Sequence, residues 1–234
     1  MNELEPSVLA RADKLLATDS KVYGEAYWNS PLKRKVDRRL ARLFASPAVV
    51  VTLAAGAWMW LHDRQPPFIE LKRIHPKYGV IFQRKVRTMY PGADRDLERV
   101  ANGQSLRVLK LSGDPRIISG GAFLRKTSLD EVIQVFDVLD GRYSFVGARP
   151  LSQGDLDDEI YPYQDKEPFK KYLENLRAGY PYGGTSLVTL LGREHLTWEQ
   201  RLQLENLLAA KDSQRADERI AFATLLVPFR RTGK

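Results

Sequence analysis

Asp130 and Glu131 stand side by side with Arg116, Arg125 and Lys126 before them and Arg149 after them, all within Ser112–Leu151. Carboxylates among clustered cations suit phosphate chemistry. An ionised carboxylate carries a nucleophile's charge at neutral pH, its neighbour can hold a divalent cation, and arginine grips phosphate oxygens with a planar fork. Ser128-Leu129-Asp130-Glu131 also has capping-box spacing: Ser128 would cap, Glu131 would reach back, and Val132, Val135, Phe136 and Leu139 follow at helical spacing before Asp140-Gly141 stops the helix. Two readings of the acidic pair stand at this level. Acidic residues in a first helical turn are favoured by the macrodipole and need no other role. A helix start ringed by cations is equally an anion site. Neighbouring α-helical carboxylates point about 100° apart. They cannot work as a symmetric dyad on one bond, but one can meet phosphorus while the other holds a shared metal.

The elements that must position this stretch read as an α+β chain, mostly helical with a small antiparallel sheet. Asn2–Ala17 forms a short amphipathic helix through Leu4, Val8, Leu9, Ala12, Leu15 and Leu16. Pro66–Ile74 and Val80–Met89 read as strands joined by the turn His75-Pro76-Lys77-Tyr78-Gly79, a hairpin. Asp94–Ala101 reads as a polar helix and Ser105–Leu111 as a strand. Leu196-Thr197-Trp198-Glu199 starts a charged helical stretch that runs to about Arg219, and Phe222–Phe229 is apolar enough to pack or to touch membrane.

The chain has 234 residues, a formal charge of +8, no cysteine and three histidines. The charge asks for an anionic partner: nucleic acid, an acidic bilayer or a phosphorylated substrate. Without cysteine there are no disulfides, thiolate metal sites or cysteine nucleophiles. His62, His75 and His195 lack metal-ligand spacing, and neither a G-x-S-x-G elbow nor a glycine phosphate loop occurs. Charge alone speaks for nucleic acid, and no binding motif supports it.

Lys33, Arg34, Lys35, Arg38, Arg39 and Arg42 lead into the uncharged stretch Leu43–Leu61. As a helix that stretch would reach about 28 Å, but Ser46-Pro47 interrupts it near its start and leaves about 21 Å, short of a roughly 30 Å hydrocarbon core. The basic cluster should stay cytoplasmic, so a full crossing would export everything that follows. A buried helix of a soluble protein is the other reading.

FLRKTSLDEVIQVFDVLDGRYSFVGARPL, from Phe123 to Leu151, resembles the core signature of the bacterial sugar transferase family, the monotopic phosphoglycosyl transferases. Weaker echoes extend from about Lys33 to about Thr224. The resemblance implies three regions: an N-terminal segment 1–30, a membrane helix 31–62 and a cytosolic catalytic domain 63–234. The membrane helix would be re-entrant, broken at Ser46 and Pro47, with Lys33-Arg34 and Asp37 at its start; the chain departs from the family's longer, nearly uncharged run at Arg38–Ala45, where Arg38, Arg39 and Arg42 would snorkel while Trp58 and Trp60 anchor the far end. The chain would then lie on the cytosolic face of the cytoplasmic membrane, at the inner leaflet, with a homodimer left open and no nucleic acid involved.

The implied activity is transfer of a phospho-sugar from a UDP-sugar to polyprenol phosphate with release of UMP, initiating exopolysaccharide or other membrane glycan assembly. Asp130 would be the nucleophile, Glu131 the Mg2+ ligand, and Arg87, Arg116, Arg125, Lys126, Arg149 and Arg193 the phosphate-binding cations. Arg87 lies in Lys85-Val86-Arg87-Thr88-Met89, matching a family segment, and could as well be a solvated strand residue. The sequence departs from the family most at Tyr182–Arg193, which keeps Gly183, Thr185, Leu187, Gly192 and Arg193 but loses the family's Gln and Asn. Glu205-Asn206-Leu207-Leu208 replaces an Asp-x-x-Tyr. A membrane-bound scaffold or regulator of a glycan assembly complex, with no turnover, is the alternative.

Overall fold

A computed structural model describes residues 4–93, 114–152, 165–192 and 195–224. The expected helix Asp94–Ala101, the strand Ser105–Leu111, Arg193 and most of Phe222–Phe229 lie outside the described residues. The fold is α+β and mostly helical, with a small antiparallel sheet. In order come α1 (Pro6–Leu16), α2 (Glu25–Trp28), α3 (Pro31–Asp63), β1 (Phe68–His75), β2 (Gly79–Val86), α4 (Gly121–Thr127), a 3-10 segment (Leu129–Gln134), α5 (Val135–Asp140), β3 (Ser144–Val146), α6 (Glu167–Ala178), β4 (Gly183–Thr185), α7 (Leu187–Leu191), α8 (Trp198–Lys211) and α9 (Gln214–Thr224). β1 and β2 form the expected hairpin, turned through left-handed Gly79. The sheet reading omitted a second, parallel pair, Ser144 opposite Gly183 and Val146 opposite Thr185. β4 is a short Gly-Gly-Thr run without the alternation that marks a strand, and it is glycine because Gly147 lies against it: a Cβ on Gly183 would fall 2.1 Å from the Gly147 nitrogen.

The chain packs as two units. One comprises Met1–Ala45, Lys72–Phe82 and Val135–Lys234, the other Ser46–Leu71 and Gln83–Gln134. In the first, α6 packs on α8, β3 on β4, and α1 on α9. Val36, Leu40 and Ala221 form a core cluster with Phe44 and Phe145 against it. Thr197 opens α8 with a full capping box: its hydroxyl accepts from the Gln200 backbone while the Gln200 side chain accepts from the Thr197 backbone. The charged stretch read as one helix to Arg219 is two, because it is interrupted at Asp212-Ser213. Asp212 leaves the α8 helix with extended backbone, and Ser213 Oγ accepts from the Ala216 backbone in the first turn of α9.

In the second unit the apolar half of α3 supplies Ala55 and Met59 to a core of Val86, Ile118 and Leu124, with Leu129 against it. Pro47 lies inside α3, which continues as one element from Pro31 to Asp63, and the division between the units falls at Ala45/Ser46. Proline removes one main-chain hydrogen bond without ending the helix. Among the described residues α3 is the one helix long and apolar enough to cross a membrane. Val50, Leu53, Trp58 and Leu61 along it are each more than half exposed, a contiguous apolar face of the kind that marks membrane or partner contact.

Candidate active site

The second unit holds the acidic pair. α4 ends at Thr127, and Ser128 caps its C-terminus in the left-handed conformation, φ 58°. This corrects the expected capping box. An N-cap residue is extended, and here the preceding helix ends where the box would begin, so Ser128 closes one helix instead of opening another. The next turn, Leu129–Gln134, is 3-10 and not α, and α-helix resumes only at Val135. Successive 3-10 residues step by about 120°, which sends Asp130 inward and Glu131 outward. Asp130 is 1% exposed, whereas the Glu131 side chain is 44% exposed.

Lys85 on β2 bridges them. Its Nζ lies 2.9 Å from Asp130 Oδ2 and 3.0 Å from Glu131 Oε1, and its own side chain is 20% exposed. Strand alternation places it: Val86, next to it, is fully buried in the core, so Lys85 projects from the other side of the strand toward the 3-10 segment. The contact with Oδ2 is an ion pair without hydrogen-bond alignment, so that buried oxygen has no hydrogen-bond partner among the described residues. Burial raises the Asp130 carboxyl above the usual aspartate range, with Lys85 first and Arg125 more weakly pulling it back.

Of the cations singled out from sequence, Arg125 and Lys126 lie exposed in the last turn of α4, just before this pair. Arg87 and Arg116 share the unit but face carboxylates. Arg87 is buried and grips Asp63 through two 2.7 Å bonds while donating to Pro66 O and Met89 O, so it clamps the end of α3 to the exit of β2. Neither reading of Arg87, phosphate-facing or solvated, describes that position. Arg116 grips Asp114 at 2.9 and 2.7 Å. Arg149 belongs to the first unit. It is half-buried, its Nε has no hydrogen-bond partner among the described residues, and its carbonyl accepts from the Tyr172 hydroxyl at 3.0 Å. Ser46 and Pro47 lie on α3. The sequence reading passed over Lys85; its signal was two cations, Lys85 and Arg87, two positions apart on one strand.

Among the described residues no group of three or more His, Cys, Asp or Glu side chains could hold a metal by itself. Magnesium does not need one, since it is commonly held by one or two carboxylates together with waters and substrate phosphates. The Asp130 and Glu131 carboxylates are of that donor type, and in this structure the Lys85 ammonium lies between them. The arrangement offers a buried, charge-assisted carboxylate, a second, more exposed carboxylate beside it and a lysine spanning both.

Fold and site together define a mostly helical α+β protein with a lysine-bridged acid pair, flanking cations and one long apolar helix. The chain belongs to the bacterial sugar transferase family, whose model its residues 28–231 match. It is 32% identical over 216 residues to the undecaprenyl-phosphate galactose phosphotransferase of Salmonella typhimurium, covering 86% of this chain and 43% of that protein. It is 37% identical over 124 residues to an uncharacterized sugar transferase of Haemophilus influenzae, covering 53% and 24%. With the exopolysaccharide production protein ExoY of Rhizobium meliloti it shares 33% identity over 147 residues, 60% of each chain. The chain thus spans from 24% to 60% of the length of these curated relatives.

Proposed function

We propose that this chain transfers a phospho-sugar from a UDP-sugar to polyprenol phosphate at the cytosolic face of the inner membrane, with Asp130 as nucleophile. The observation that carries this reading is the Lys85–Asp130–Glu131 cluster, in which a buried Asp130 lies beside a Glu131 side chain that is 44% exposed. An Asp130 oxygen attacks the β-phosphorus of the donor, the bond to the UMP oxygen breaks, and UMP departs with the electron pair. A phosphate oxygen of the polyprenol phosphate then attacks the same phosphorus, the acyl-phosphate bond breaks, and the Asp130 carboxylate is restored.

Lys85 keeps a buried Asp130 ionised and offsets its repulsion from an incoming diphosphate. Arg125 and Lys126 supply positive charge beside it for phosphate oxygens. Glu131, with Asp130, would hold Mg2+, whose chemistry when bound is to neutralise charge on the diphosphate. The basic residues before Leu43 hold the N-terminal end of α3 to the cytosolic side, and an α3 that lies in the membrane without crossing it would keep the acid pair there. The exposed apolar residues of α3 and the relatives' names support attachment to a membrane and a lipid-linked acceptor.

The rival reading, a scaffold without turnover, draws on the burial of Asp130 at 1% exposure. Detergent-solubilised protein is incubated with a panel of UDP-sugars, Mg2+ and polyprenol phosphate, and UMP is measured. The unmodified chain is expected to release UMP, and Asp130→Asn to lose at least about a thousandfold in rate, as nucleophile removal commonly does. Release undiminished in Asp130→Asn would exclude Asp130 as nucleophile. Release from no donor would favour the scaffold.

A further inference from the structure

Trp58 and Trp60 read from sequence as paired anchors at the far end of the apolar stretch, yet the structure treats them differently. Trp60 carries the Arg64 guanidinium over its ring at 4.3 Å. Trp58 donates its indole N–H to the carbonyl of Ser119 at 3.0 Å. The next residue, left-handed Gly120 at φ +81°, lies so close to the indole that a Cβ there would fall 2.5 Å from Nε1. Gly120 is also the residue from which α4 begins. Gly121 is equally confined, since a Cβ on it would lie 2.6 Å from the Thr88 carbonyl oxygen.

α4 runs only from Gly121 to Thr127, and a helix that short has no stability of its own. Its place is set by what holds its start. Its last turn carries Arg125 and Lys126, and Ser128 then leads into Asp130 and Glu131. An interfacial tryptophan ordinarily offers its N–H to the headgroup region. The Trp58 N–H is already given to the protein.

We propose that Trp58 is a positioning residue: by holding Ser119 and Gly120 it fixes Arg125, and through Ser128 the Asp130 carboxylate, against the helix that carries the chain's apolar face. Phosphate recognition is thereby set from the membrane segment. The kinetic consequence rests on the transferase reading; the latch itself does not.

The test compares the unmodified full-length protein with Trp58→Phe, which keeps an aromatic ring and loses the donor, and with Gly120→Ala, which intrudes on the indole without altering it. Both variants are expected to speed hydrogen exchange of the Gly121–Thr127 amides. Both should raise the KM for the UDP-sugar about three- to tenfold, the range one neutral hydrogen bond commonly carries, with kcat falling by less. Membrane partition should stay as in the unmodified protein. Unchanged exchange and KM in Trp58→Phe would overturn the proposal. So would a loss of membrane partition that matches the loss of activity, which would make Trp58 an anchor, or a lowered melting temperature with KM unchanged, which would make the contact plain packing. If the unmodified chain turns over no UDP-sugar, the transferase reading falls, and the exchange measurement alone upholds or overturns the latch.

Discussion

Two lysines in this molecule each gather carboxylates, and they differ in what surrounds them. Lys33, in the first unit, donates to both oxygens of Asp217 at 2.8 Å and to Val146 O at 2.8 Å, and lies 3.3 Å from Asp212. Tyr27 donates to Asp217 at 2.6 Å, and the nearby Asp37 accepts from the Ser144 hydroxyl and the Phe145 backbone. The Lys33 side chain is 4% exposed and those of Asp212 and Asp217 not at all. Burial raises Asp217, and the neighbouring Asp212 charge raises it further. Lys85 bridges one buried carboxylate and one exposed one and is itself partly exposed. The sealed cluster can only hold the root of α3 to α9 and β3. The open one reaches solvent through the partly exposed side chains of Lys85 and Glu131, which is what a reacting group requires.

Exchanging the lysines should separate those roles most strongly. Lys85→Met is expected to cut turnover by about a hundredfold or more, the scale of losing a preorganised charge at a reacting centre, while the protein stays folded. Lys33→Met should leave buried carboxylates uncompensated and cost about 3–5 kcal/mol of stability, seen as a large fall in the denaturant midpoint. A Lys33 variant that is folded but inactive, or a Lys85 variant that is active but unfolds early, would reverse the assignment.

Glu205 extends the comparison to a buried carboxylate with no lysine. Neither of its oxygens has a hydrogen-bond partner among the described residues. Burial pushes it up from 4.5 to about 8, with Ser186 and Arg149 pulling less strongly the other way. The folded state therefore keeps a proton that the unfolded chain releases. The stability it contributes is full below pH 4.5 and is lost as pH rises through about 8. Glu205→Gln imitates the protonated form at every pH. It should flatten the fall in stability across that window, on the order of 1 kcal/mol per pH unit at most, and melt above the unmodified protein at alkaline pH. A parallel pH dependence in the two proteins would contradict this.

A smaller effect concerns the acid limb of turnover. Under the proposed mechanism Asp130 attacks in its ionised form, and its pKa is raised, so activity should fall with decreasing pH at a value above about 4, the ordinary aspartate range. Lys85→Arg, which keeps a positive charge and changes its placement, should leave residual turnover with the limb moved upward. A limb at the ordinary value would mean that the carboxylate is solvated in the working enzyme.

The open cluster was half legible in the sequence. Asp130, Glu131, Arg125 and Lys126 are consecutive enough to be found by spacing, and so are the hairpin and the Thr197 helix start, because turns and caps are local. Ser128 was misread for the same reason: Ser-x-x-Glu is a local signal for a helix start, and it could not show that α4 already occupied the residues before it. The sealed cluster was not legible, since Lys33 and Asp217 are 184 residues apart in sequence and nothing in either neighbourhood marks the pairing. Arg87 and Asp63 met by the same kind of closure, 24 residues apart, and a cation expected to face phosphate became a clamp.

The central claim is that Asp130 takes up the phospho-sugar. Its most direct test is the intact mass of the full-length protein mixed with a UDP-sugar and Mg2+ in the absence of polyprenol phosphate. A gain of one phospho-sugar, mapped to the peptide containing Asp130, absent from Asp130→Asn and discharged on adding polyprenol phosphate, is the predicted result. UMP release with no adduct on the unmodified protein, or an adduct mapped to any other residue, would contradict it.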